Sequence, residues 1–157
     1  MEKKSVLFVC LGNICRSPLA EGIFRHINPN INVDSAGTSN YHIGSPPDRR
    51  MIETARSYGL DISNLAARQF TTEDFNRFDK IFIMDDENFK NVIALAENET
   101  FKEKVHYTLS KQKNVPDPFF GGKEGFIKVY EMLYRKYRKY RKYNHINLKQ
   151  YHYCYYK

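Results

Sequence analysis

The chain has 157 residues, enough for one domain with a sizeable core, and no apolar run long enough to cross a membrane as a helix. Its formal net charge of +7 belongs to one end: residues 134–157 carry eight of the 25 basic residues and no acid, leaving residues 1–133 with 17 basic against 18 acidic. The body of the chain therefore lacks the basic surplus of a nucleic-acid or membrane-surface protein, and Cys10, Cys15 and Cys154 fit neither a disulfide framework nor a zinc site.

Lys3 and Lys4 precede an apolar run too short for a signal peptide, so a cytoplasmic protein with free thiols is expected. That run, Ser5 to Val9, is β-branched and aromatic and predicts a buried strand. After Cys10 to Cys15 comes Arg16, and Ser17-Pro18-Leu19-Ala20-Glu21 then reads as an N-cap, a proline at N1 and a first-turn glutamate of a helix reaching Asn28. Asn32 to Ala36 predicts a second strand. Pro46-Pro47-Asp48 opens a helix with Met51, Ile52, Ala55 and Tyr58 at helical spacing, closed by Gly59. Thr71 to Phe75 reads as a short capped helix, Lys80 to Met84 as a buried strand, Asp86 to Glu97 as a helix, Val105 to Leu109 as a fourth strand, and Gly125 to Tyr134 as the start of a last helix. Alternating strands and helices predict a single-domain α/β fold, a Rossmann-like four-stranded parallel sheet with helices on both faces and a ligand site beyond the carboxyl ends of the strands. Cys10, Asp85 and the loop holding Asp117 all fall at that edge.

The turn between the first strand and helix has the chemistry of a phosphate pocket with its own nucleophile. Its backbone N–H groups converge on a helix N-terminus, where an oxyanion binds well. Gly12 and Asn13 are expected to take the left-handed conformation of an anion nest. Arg16, six positions after Cys10, can curl back so that its fork meets two phosphate oxygens above the Cys10 sulfur. The same fields favour a thiolate. A thiolate attacking a phosphate monoester also needs a proton donor for the departing oxygen, and Asp117, between Pro116 and Pro118, is the candidate; without Cys10 the Pro-Asp-Pro run would be read as a rigid turn.

The segment Val6 to Glu21, VLFVCLGNICRSPLAE, resembles the signature of the low-molecular-weight protein tyrosine phosphatases. Matches follow in order at Asp34-Ser35-Ala36-Gly37-Thr38, Met84-Asp85 and Val115-Pro116-Asp117-Pro118, from about residue 4 to residue 133. The resemblance implies hydrolysis of phosphotyrosine in proteins through a cysteinyl-phosphate intermediate, with inorganic phosphate as product and inhibitor and no cofactor or metal. It implies catalytic roles for Cys10, Arg16 and Asp117, and a phosphate-binding loop that includes Leu11, Gly12, Asn13, Ile14, Cys15 and Ser17. Asn13, Ser17 and Ser35 would brace that loop, Asp85 would either order neighbouring loops or cap a helix, and Cys15 would be the redox partner of Cys10.

Phe119 and Phe120 stand where the family commonly has two tyrosines; they keep an aromatic wall for the substrate ring but offer no hydroxyl for phosphorylation. Tyr41 is the candidate opposite wall, or else an ordinary exposed loop tyrosine. Ser63-Asn64-Leu65-Ala66 lacks the histidine that many relatives carry before the Ala67-Arg68-Gln69 match, so a bracing bond is absent or supplied by Asn64. Arsenate reductases share the fold but need further cysteines, and here only Cys154 lies beyond the loop. Phosphoarginine phosphatases tend to carry threonine at the position of Ile14, whose bulk favours an aryl phosphate. A non-catalytic phosphate-binding module is the remaining rival, and an intact Cys10, Arg16 and Asp117 set makes it unnecessary.

In residues 134–157, eight of the twelve tyrosines recur, first every three positions from Tyr134 to Tyr143. An α-helix turns in about 3.6 residues, so such a row drifts around the helix and only its beginning packs. The core is accordingly expected in residues 1–133, followed by the end of the last helix and a basic, tyrosine-rich extension. That extension reads first as a solvated tail; contact with nucleic acid or an acidic membrane surface is the minor reading.

Overall fold

The computed structural model describes residues 4–111 and 113–140. Strands β1 (Ser5–Cys10), β2 (Asn32–Gly37), β3 (Lys80–Ile83) and β4 (Val105–Tyr107) form one fully parallel sheet in the order β2-β1-β3-β4. All six residues of β1 are buried, as a strand paired on both sides and covered on both faces requires. Val6, Phe8 and Cys10 join the core beneath α1 (Arg16–Ile27), α2 (Arg49–Ser57) and α6 (Lys123–Tyr137). Leu7 and Val9 point the other way, into the cluster built with α3 (Asp74–Arg77), α4 (Asp86–Ala94) and α5 (Glu99–Glu103). The expected four-stranded α/β architecture is the one observed.

From β1 the chain runs out to β2 on one side, then crosses back to β3 on the other. The carboxyl end of β1 is therefore the point where the connections diverge, and it leaves a crevice there. Cys10 occupies that end.

Several boundaries differ from the sequence reading for identifiable reasons. α1 begins at Arg16, two residues earlier than expected, and Ser17 does not cap it: the residue at the N-cap is Cys15, which makes no side-chain cap bond. α5, absent from the sequence reading, is capped by Asn98, whose side chain accepts from the Phe101 N–H at 2.8 Å. α4 stops at Ala94 and β4 at Tyr107, both short of their expected ends. Asp48 caps α2 by accepting from Arg50 N–H, and Gly59 beyond it takes φ +83°, the left-handed conformation that favours glycine at a helix end.

On α6 the buried stripe is Phe126, Val129, Tyr130, Leu133 and Tyr137. Tyr137 is wholly buried, its ring edge-on to Phe8 at 5.3 Å and to Phe24 at 5.4 Å. The expected core boundary at residue 133 thus moves one helical turn outward, because 133 and 137 share a face at i,i+4 spacing even though a three-residue row drifts. Residues 141–157, with Tyr143 and Cys154, lie outside the described residues. Among the described residues no helix is long and apolar enough to cross a membrane.

Candidate active site

Cys10 is 3% exposed, and its Sγ accepts from the Asn13 backbone N–H at 3.3 Å and lies 3.0 Å from Ser17 Oγ. The chain curls over the sulfur because Asn13 adopts φ +56°, a left-handed conformation asparagine tolerates. Gly12, expected to do the same, does not; it lies close under His42, where a Cβ would stand 3.0 Å from His42 Cδ2. The loop also rests on the end of β2, where Thr38 N–H donates to Cys10 O and Ser39 N–H to Leu11 O, both at 2.9 Å.

Behind the loop runs a buried polar chain. Asn13 Nδ2 donates to Ser17 Oγ at 2.8 Å and to Ser35 Oγ at 2.9 Å, and Ser35 Oγ donates to Glu21 Oε1 at 2.9 Å. With Asn13 donating to Ser17, the serine proton can go to Cys10 Sγ or to the more distant Ala36 carbonyl at 3.4 Å. Burial pushes the Glu21 carboxyl above its ordinary range, against the lowering effects of the Ser35 hydrogen bond and of Arg25, whose Nη2 is 2.8 Å from Oε2. Asn64 is exposed, and Asn13 Oδ1 accepts from the Arg68 backbone N–H at 3.0 Å. The Arg68 guanidinium is anchored by Asp34 and Asp74.

Arg16 is 2% exposed, with Nη1 donating to Asp85 Oδ2 at 2.6 Å and to Val115 O at 3.0 Å. Its Nη2 lies 3.6 Å from Asp117 Oδ2. Burial alone would lower this guanidinium, but the charge of Cys10 and the two carboxylates more than offset it and hold it above its ordinary value. Asp85 both orders Arg16 and caps α4, accepting from Asn88 N–H at 2.8 Å. The two alternatives for Asp85 are thus one arrangement, because each carboxylate oxygen has its own donor. Cys10, Arg16, Asp85 and Asp117 meet at the carboxyl edge of the sheet. Cys15 is buried alongside, and its thiol is pushed strongly upward by burial first and then by Asp48.

Phe119 and Phe120 meet edge-on at 4.9 Å, with Phe120 94% exposed. Tyr41 is 74% exposed, and the ring facing Phe119 is that of the next residue, His42, at 6.4 Å between centroids. His42 was missing from the sequence reading, as were Glu21, Gly37 and Arg50. Glu21, read as a first-turn glutamate, is instead the sixth residue of α1, which has no acid in its first turn; for the others no local pattern pointed to the site.

The sequence model of the family described as low molecular weight phosphotyrosine protein phosphatase matches residues 5–150. The chain is 43% identical over 143 residues to the human low molecular weight phosphotyrosine protein phosphatase, spanning 84% of this chain and 90% of the relative. A crystal structure of a protein tyrosine phosphatase from Entamoeba histolytica superposes with a TM-score of 0.82 at 35% identity, covering 88% of this chain and 94% of that one. The Vibrio vulnificus protein Wzb, solved in complex with benzylphosphonate, gives a TM-score of 0.82 at 29% identity, covering 89% and 98%.

Proposed function

The chain belongs to the low molecular weight phosphotyrosine protein phosphatase family and is a phosphoric monoester hydrolase, and we propose that Cys10 is its nucleophile, Arg16 its phosphate clamp and Asp117 its general acid and base. The Cys10 thiolate attacks phosphorus in line; the bond from phosphorus to the aryl oxygen breaks, and the Asp117 carboxylic acid protonates the departing phenol. The resulting Asp117 carboxylate then takes a proton from the water that attacks the cysteinyl phosphate. The sulfur–phosphorus bond breaks, returning the thiolate and releasing inorganic phosphate. The observation that carries this reading is the convergence of Cys10 Sγ with Ser17 Oγ at 3.0 Å, beside an Arg16 held 3.6 Å from Asp117.

Leu11 to Ser17 would hold the phosphate through loop N–H groups and the Arg16 fork, while Phe119 and Ile14 favour a flat aryl group. The substrate class is phosphotyrosine in proteins, acting in the cytoplasm. The benzylphosphonate complex of Wzb, an aryl compound with a phosphorus oxyanion, supports that preference by likeness. The exposed phenyl of Phe120 extends the wall on the side of Phe119, and His42 faces Phe119 from the other side. A peroxide would oxidise the Cys10 thiolate to a sulfenic acid, which the Cys15 thiol would attack with loss of water to form a disulfide that a thiol reductant reverses.

Wild type and Cys10→Ser assayed on para-nitrophenyl phosphate and on a phosphotyrosine, phosphoserine and phosphoarginine peptide panel test the reading. Turnover of para-nitrophenyl phosphate and, within the peptide panel, of phosphotyrosine alone is expected, both lost in the variant. Equal turnover of both proteins removes Cys10 as nucleophile.

A further inference from the structure

The loop from Val115 to Gly122 contains no helix or strand, yet it carries the group that must reach the leaving oxygen. Two of its first four residues are prolines and offer no N–H for anchoring. At its near end the loop is tied to the sheet by Val115 N–H to Met84 O at 2.8 Å, and Val115 O accepts from Arg16. Its far end is held from outside by one side chain. Arg50 Nη2 donates to Phe119 O at 2.9 Å and Nη1 to Gly121 O at 3.3 Å. The same guanidinium lies 4.5 Å from the centre of the Phe126 ring and 5.6 Å from that of Phe119.

Arg50 is itself fixed. Its Nε and Nη2 fork onto the two Asp48 carboxylate oxygens at 3.0 and 2.9 Å. Asp48 belongs to the nucleophile side of the site: its backbone N–H donates to Ile14 O, inside the phosphate-binding loop, at 2.7 Å. One continuous path therefore runs from Ile14 through Asp48 and Arg50 to the carbonyls of Phe119 and Gly121. Asp117 Oδ1 is in turn bonded by the Phe119 N–H at 3.1 Å, so the peptide unit next to the one Arg50 grips orients the acid itself.

We propose that Arg50 is a positioning residue for leaving-group protonation, holding the Asp117 loop in register with the Cys10 loop. This rests on Asp117 being the general acid. The planar fork is what the geometry uses: five N–H donors in one plane can serve two Asp48 oxygens and two carbonyls together, which the compact ammonium of lysine cannot. A guanidinium that sat there only for stability would not distinguish one leaving group from another. One that aligns the acid would matter where the departing oxygen needs a proton and little where it does not.

The test compares wild type, Arg50→Ala, Arg50→Lys, Asp117→Asn and the Arg50→Ala/Asp117→Asn double variant on an aryl phosphate series from phenyl phosphate to 2,4-dinitrophenyl phosphate. For Arg50→Ala the expected result is a fall in kcat/KM, which reads phosphoenzyme formation, of about tenfold or more on phenyl phosphate and near wild-type kcat/KM on the dinitrophenyl ester. Arg50→Lys, which keeps the charge and is the fallback if the alanine variant does not fold, is expected to show the same leaving-group pattern. The double variant should be no slower than Asp117→Asn alone on phenyl phosphate. A loss equal across the series, no loss, or additive losses in the double variant overturns the positioning role. If Asp117→Asn shows no leaving-group dependence, the acid assignment falls first and this role with it.

Discussion

Asp85 and Arg16 meet at 2.6 Å while the other oxygen of the same carboxylate caps α4 through Asn88. Asparagine is a good N-cap but carries no charge. Asp85→Asn is therefore expected to keep the α4 cap but to lower stability, because the buried Arg16 loses its charged partner, and to raise KM for an aryl phosphate several-fold. Asp85→Ala should add a stability loss of about 1 kcal/mol from the missing cap. Equal melting temperatures for the two variants would separate Asp85 from the cap, and unchanged KM in both would separate it from Arg16.

Gly37 sits directly against the turn that follows Cys10: a Cβ there would lie 2.8 Å from Leu11 O and 3.1 Å from Asn13 N. Neither neighbour is a flexible side chain, so the loop must shift. Gly37→Ala should cost about 1–3 kcal/mol in stability and about a hundredfold in kcat/KM, since misplacement by an ångström is felt that strongly at a reacting centre. Wild-type kinetics in this variant, read alongside a denaturant titration, would show that the loop does not depend on that close approach.

Ser17 Oγ is the side-chain neighbour of Cys10 Sγ, at 3.0 Å. A hydrogen bond to a charged group contributes about 1.5–3 kcal/mol, so Ser17→Ala should slow the step in which the thiolate leaves phosphorus by roughly ten- to a hundredfold. Rapid-quench measurement should then find more phosphoenzyme at steady state. No accumulation, with turnover intact, would refute that role for the hydroxyl.

The Glu21 carboxyl is pushed up mainly by burial, so its folded-state pKa exceeds its unfolded one. Such a group contributes stability that is fully present below the unfolded pKa and is lost as pH rises through the folded pKa. Glu21→Gln has no such term, and its amide oxygen can still accept from Ser35. Between about pH 4 and 7, the stability of wild type relative to Glu21→Gln should therefore fall as pH rises. A relative rise, measured by chemical denaturation across that window, would contradict the burial account.

Cys15 is held as a thiol by burial and by Asp48, whereas Cys10 Sγ accepts from the Asn13 backbone N–H. Brief iodoacetate treatment at neutral pH is expected to carboxymethylate Cys10 and not Cys15, with inorganic phosphate slowing the reaction. Peptide mass spectrometry reads the result, and preferential labelling of Cys15 would reverse the assignment of roles.

Much of this site could be read from residue order because its signals are local. An apolar run ending in Cys10, a turn with asparagine, and a helix start within eight residues need no knowledge of the rest of the chain. Ser17 shows where local signals mislead: a serine before a proline at a helix start resembles a cap, but its hydroxyl is engaged by Cys10 and Asn13. Tyr41 and His42 show the same at a loop. Adjacent residues carry adjacent rings, and only the path of the backbone decides which one turns toward Phe119.

By itself the sequence determined the α/β order of elements and the turn after β1 that carries Cys10, Asn13 and Arg16, since each depends on residues within a few positions of one another. The tertiary structure alone decided that Asp85 holds Arg16, that Gly37 underlies Leu11, that Tyr137 completes the core, and that Arg50 joins the Asp117 loop to Ile14 through Asp48. These pairs are far apart in the chain or turn on which face of an element a side chain takes, and it is burial and hydrogen-bond satisfaction across the whole fold that bring them together.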